Sequence, residues 1–148
     1  MNKIYTSYFY QIRNFKQNMI PISTAVFDPI WFRPPDRQEY YVDKRGIICG
    51  LRYEPLIVQK YGTCICPCEN KNILQGNCST MQEYRKLLDT IDFDKMMKAF
   101  KYCLNKFKKN TIVLMVYETP NNLCSERIYL QDYFKCHKIE CQELKYPI

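Results

Sequence analysis

Residues 111–134 read TIVLMVYETPNNLCSERIYLQDYF, and how this stretch is parsed decides the fold. It opens on TIVLMV, apolar and β-rich without alternation, the pattern of a strand buried on both faces. The polar, proline-containing run that follows is turn chemistry, and a helix begins near Ser125. Strand, loop and helix in that order belong to βαβ logic. In an open α/β sheet, the loop after a strand's carboxyl end is where ligands bind. This loop carries Glu118, Cys124, Ser125, Glu126 and Arg127.

Working outward, residues 138–144 (KIECQEL) alternate, so Ile139, Cys141 and Glu143 would share one face of a last, edge-like strand. On the other side lies the clearest helix, from Asp92. Phe93, Met97, Phe100, Leu104 and Phe107 fall on one helical face. Asp92 suits the helix start, and Lys106, Lys108 and Lys109 suit the carbonyl end. Lys95, Lys98 and Lys101 read as a solvated face rather than a nucleic-acid stripe. Thr80 followed by Glu83 fits a capping box that opens an earlier helix running to about Leu88.

Toward the amino end, residues 3–8 (KIYTSY) and 19–23 (MIPIS) read as strands, with Pro21 tolerable at an edge or a strand start. One or two helical turns are expected between them. The proline-punctuated segment 23–35 holds Trp31, either a plug at the core edge or an aromatic wall beside Ser23. Residues 36–45 are charged and read as an exposed loop or irregular helix. Residues 47–49 suit a short strand, and Pro55 suits the start of a short helix at Leu56. Arg52, Tyr53 and Glu54 fall in the connection. The architecture predicted is one three-layer α/β domain over residues 1–148, with a mainly parallel sheet of roughly four or five strands.

Composition narrows the function classes. The chain is long enough to bury a real core, with 148 residues of which 47% are apolar. With only 4 glycines, glycine-rich phosphate loops are disfavoured. The net charge of +7 favours anionic partners, whether a small molecule, nucleotide or nucleic acid. No apolar run approaches a membrane span, and the first residues lack an apolar signal core, so no membrane partner and a cytoplasmic location are expected. In a reducing compartment, the 9 cysteines suggest metal binding or catalysis before disulfides.

Four of those cysteines mark a loop at about 62–79: Cys64, Cys66 and Cys68 alternate, and Cys78 follows. Four thiolates complete a tetrahedral zinc site with Zn–S of about 2.3 Å, and the same set could hold an iron–sulfur cluster, the lesser expectation. Alternate side chains on an extended strand stand about 6.5 Å apart, so the loop must fold back, which Pro67 and the following polar residues ease. Otherwise the cysteines pack as small hydrophobes.

Three segments carry a family resemblance: KIYTSYFYQIRN with MIPIS, then GLRYEPL, then IVLMVYETPNNLCSER with its helix and terminal strand. Together they resemble the domain of unknown function 488 family, small α/β proteins of bacteria and their viruses. The resemblance implies a Rossmann-like sheet and no established activity. Many relatives carry Cys-His-Arg after a Glu on the preceding strand. Glu118 and Cys124 match that pattern, Ser125 stands where the His would be, and Arg127 falls one position later.

The function expected is binding or processing of a nucleotide or nucleic acid at this loop, with a structural metal in the cysteine loop. Glu118 and Cys124 are the candidate chemical groups: Cys124 as a thiolate at a helix start, Glu118 as base, metal ligand or partner of Arg127. Ser125 and Arg127 would hold an anion. Ser23 and Arg52 would contribute nearby, with Trp31 or Tyr53 stacking on a base. The only histidine, His137, reads as solvated, which disfavours His-based catalysis. The alternative is an interaction protein, possibly of viral origin, without catalytic activity.

Overall fold

A computed structural model describes residues 3–57, 79–121 and 125–148. Six strands and three α-helices follow one another: β1 (Lys3–Tyr8), β2 (Met19–Ser23), β3 (Tyr41–Val42), β4 (Ile48–Cys49), α1 (Ser79–Asp89), α2 (Phe93–Phe107), β5 (Thr111–Val116), α3 (Glu126–Cys136) and β6 (Cys141–Glu143). Short 3-10 turns at Phe9–Asn14, Ile30–Phe32 and Glu54–Leu56 fill the connections. The main sheet is Rossmann-like and parallel throughout, in the order β2-β5-β1-β6.

β5 runs through the middle of the sheet, which explains its unbroken apolar sequence: all its residues are buried. Successive side chains go to opposite faces. Ile112, Leu114 and Val116 join Ile4, Ile20 and Ile22 in a core covered by the α-helices, including Met96, Phe100, Tyr84 and Phe134. Val113 and Met115 join Phe9, Ile12, Phe32 and Ile47 on the other face. That second face is closed by 3-10 turns, the β3–β4 hairpin and Leu144 and Tyr146, so among the described residues the third layer carries no α-helix.

Pro21 sits mid-strand because β2 is an edge. The Ser23 N–H points outward to Leu51 O at 2.8 Å, and alternation puts the Pro21 nitrogen on the same outer side, where no ladder bond is lost. A parallel bridge between Ser23 and Arg52 then extends that edge.

The helix caps follow the sequence. The Asp92 side chain accepts from the Lys95 N–H at 3.1 Å, and the Ser125 hydroxyl accepts from the Arg127 N–H at 3.3 Å. On α2 the fully buried line is Met96, Phe100 and Leu104, with Phe93, Met97 and Phe107 at its flank. Of the predicted stripe Phe93, Met97, Phe100, Leu104 and Phe107, Phe100 and Leu104 are buried, and the face is turned slightly toward Met96.

Two expectations are corrected. Residues 36–45 are not wholly loop, because Tyr41 and Val42 pair antiparallel with Cys49 and Ile48. Asp43 closes that hairpin, its carboxylate accepting from the N–H groups of Arg45 at 2.8 Å and Ile47 at 2.9 Å. The last strand is shorter than 138–144, since Lys138 adopts φ 62 at the end of α3. Among the described residues no helix is long and apolar enough to cross a membrane.

Candidate functional site

Because the four strands are parallel, the carboxyl ends at Tyr8, Ser23, Val116 and Glu143 lie along one edge of the sheet. Ser23 is one of these ends, Trp31 follows β2, and Glu118, Ser125 and Arg127 follow β5, whereas Arg52 and Tyr53 follow β4.

After β2, Ser23 and Arg52 meet through a residue the sequence did not single out. Asp28 is 6% exposed and accepts from the Ser23 hydroxyl. The Arg52 Nη1 lies 2.8 Å from the same carboxylate oxygen. Arg52 also donates to Ala25 O at 3.0 Å, and its Nε lies 3.3 Å from Glu54. The cluster binds the irregular segment after β2 to the strand that precedes it. Tyr53 departs from the edge: it packs on the helix side against Phe100, ring centroids 5.4 Å apart.

After β5, the buried Arg127 has a defined set of partners. Only 3% exposed, it grips Glu143 with Nε at 2.7 Å from Oε1 and Nη2 at 3.5 Å from Oε2. Its remaining bonds go to the carbonyls of Thr119 at 2.9 Å and Glu118 at 2.7 Å. Thr6 donates to Glu143 at 2.8 Å and accepts from Gln131 at 2.7 Å, which ties β1, α3 and β6 to the same carboxylate. Arg127 is thus a clamp between the residues after β5 and the end of β6. Its partner is Glu143, and from Glu118 it takes only the backbone carbonyl.

The Glu118 carboxyl instead meets Glu126, in the first turn of α3. Burial, the Glu118 charge and a hydrogen bond that protonated Glu126 donates to Glu118 push Glu126 up to about 8, against its own backbone N–H and the Arg127 charge. Two carboxyls in hydrogen-bond contact hold one proton between them more favourably than none. Glu126 was legible only as an acid at a helix start; its closeness to Glu118 is set by the fold.

Ser125, the cap of α3, is fully buried. Cys124 lies outside the described residues, as do Cys64, Cys66, Cys68 and Cys78. Among the described residues no group of three His, Cys, Asp or Glu is placed to hold a metal ion. Burial raises the Cys49 thiol to about 11 and the Cys141 thiol to about 12, so both are inert packing groups. The exposed His137 stacks flat on Phe93 at 4.0 Å.

The aromatic side chains supply the most distinctive feature. Phe32, not Trp31, plugs the core, being fully buried against Phe9 at 5.1 Å. Trp31 stands outside it, 52% exposed, beside Ile30 at 81% and Phe27 at 70%. Tyr10, after β1, is 60% exposed, and Tyr117, after β5, is 55% exposed. All five follow strand carboxyl ends. Tyr117 also meets Phe9, at 5.6 Å, and Trp31 meets Phe32 edge-on at 6.2 Å.

No family model, no curated protein and no solved structure matches this chain. The resemblance to the domain of unknown function 488 family therefore rests on the quoted segments alone.

Proposed function

We propose that the protein binds a nucleotide or nucleic-acid ligand at the carboxyl edge of its sheet, beside the residues that follow β5. The observation that carries this reading is the row of exposed side chains at that edge: Tyr10, Trp31 and Tyr117 offer ring faces to a base. A chain of net charge +7 supplies the attraction for phosphate. With Arg127 engaged by Glu143, the anion-binding role passes to exposed cations near the rings. Should the ligand be processed as well as bound, Glu118 with Glu126, and Cys124, are the groups available for proton transfer and nucleophilic attack.

The chain has 1 tryptophan, so intrinsic fluorescence reports directly on Trp31. Adding nucleotides or oligonucleotides is expected to quench it, with affinity falling severalfold between about 50 and 200 mM salt as counterion release diminishes. No change in Trp31 emission with any nucleotide or oligonucleotide would remove the proposal.

A second reading, a protein-binding surface without chemistry, is favoured by Phe27 and Ile30. Ile30 has no ring to stack, yet it is the most exposed large apolar side chain of the set. On that reading Trp31 emission shifts with a protein partner and is indifferent to nucleotides.

Zinc held by Cys64, Cys66, Cys68 and Cys78 is carried forward on the sequence spacing. Metal analysis of protein purified without a tag is expected to find a single zinc per chain, lost in Cys66→Ser. Metal-free protein under reducing conditions would dismiss it.

A further inference from the structure

We infer that the ligand of this edge is single-stranded nucleic acid, with one base in a cleft walled by Tyr10 and Trp31, its phosphate on Arg13, and a further base on Tyr117. This deepens the proposed function and rests on it. The cleft measures about 390 Å³, floored by the buried Phe9 and Ile12 and rimmed by Arg13, Asp43 and Arg45. That volume falls in the range of about 300–1,000 Å³ of ligand pockets.

The rim charges are not equivalent. Asp43 is committed to the hairpin turn, accepting from two backbone N–H groups. Arg45 donates to Ile12 O at 2.6 Å and to Arg13 O. Arg13 lies flat over the Tyr10 ring at 3.8 Å and, among the described residues, is within ion-pair distance of no carboxylate. It is a planar cation held over one aromatic wall of the cleft, suited to a phosphate next to a stacked base. Arg33, following Trp31, donates its Nε to Asp28 O at 3.1 Å and likewise meets no carboxylate among the described residues. Two nearby carboxylates are matched, Asp28 by Arg52 and Glu143 by Arg127. The face thus has rings and surplus cations.

The ring arrangement selects the form of nucleic acid. Trp31 and Tyr117 are the outer members of a row, Trp31–Phe32–Phe9–Tyr117, whose two inner rings are buried. Ring contacts of 6.2, 5.1 and 5.6 Å link the outer two in series, so a strand has a platform for each of two bases. A duplex keeps its base faces stacked inside and offers neither platform a partner. The Trp31 carbonyl accepts from the Tyr41 hydroxyl, which fixes the backbone behind the cleft wall.

The test compares thymidine monophosphate, an eight-nucleotide oligothymidylate and a duplex of the same length, read by Trp31 quenching and by anisotropy of labelled strands. The oligonucleotide is expected to bind at least roughly tenfold tighter than either other probe. Tyr117→Ala is expected to weaken the oligonucleotide roughly tenfold. Tyr117 is exposed, so circular dichroism should show the variant folded. Equal binding of mononucleotide and oligonucleotide would overturn the single-strand inference and leave nucleotide binding standing. Equal binding of the duplex, or an unaffected Tyr117→Ala, would also overturn it. Silence with all three probes would remove both readings.

Discussion

Arg127→Ala is expected to cost about 3 kcal/mol of folding stability, seen as a fall in Tm of roughly 6–12 °C for a chain of this size. The reason is what the deletion leaves behind. The Glu143 carboxylate loses its bidentate partner, and the carbonyls of Glu118 and Thr119 lose their donor. Breaking a buried pair costs more than the pair contributes, because the surviving charge is stranded. The low end of the usual range applies since the Glu143 side chain keeps 24% of its surface. Arg127→Lys retains the charge and loses the fork, so an intermediate loss is expected. Thermal or urea unfolding decides between clamp and ligand anchor. If Arg127→Ala unfolds within about 0.5 kcal/mol of the parent protein while nucleotide affinity collapses, the side chain serves the ligand and the clamp account is wrong.

The same residue shows where a sequence can be read and where it cannot. The strand at 111–116 was legible because a central parallel strand has no polar face to hide. The starts of α2 and α3 were legible because Asp92 and Ser125 are good caps standing ahead of helical spacing. What escaped are pairings that depend on the register between distant elements. Arg127 finds Glu143 only because α3 returns the chain to β6 beside β1. Asp28 joins Ser23 to Arg52 only because residues 51–53 lie along the outer edge of β2. Glu118 and Glu126 look independent in sequence, and the Glu118 charge reaches Glu126 when α3 starts beside the end of β5. Tyr41 and Val42 were missed for a local reason: a two-residue strand among charged neighbours shows no period. Trp31 kept two open readings, since exposure at a strand's carboxyl end is set by which of two adjacent rings, Trp31 or Phe32, the core accepts.

Glu126→Gln is expected to remove a pH dependence of stability that the parent protein carries. A carboxyl raised from 4.5 to about 8 binds its proton more tightly folded than unfolded. The stability it contributes is complete below pH 4.5, declines as pH rises through the interval, and is gone above about 8. At about 1.4 kcal/mol per pH unit the interval sets a ceiling on the order of 5 kcal/mol. Glu126 is partly open to water, so about 2 kcal/mol is the expected loss between pH 5 and 8.5. The glutamine keeps an N–H for Glu118 and carries no charge, so its urea midpoint should hold nearly steady over the same window and exceed that of the parent above pH 8. Other titrating groups are common to both proteins and cancel in the difference. Parallel pH curves for the two would show that Glu118 and Glu126 do not share a proton. The consequence reaches the ring face as well. Near neutrality Glu126 is largely protonated, which spares the adjacent edge a repulsion toward phosphate. An oligonucleotide bound there should weaken above pH 8 in the parent and less so in Glu126→Gln.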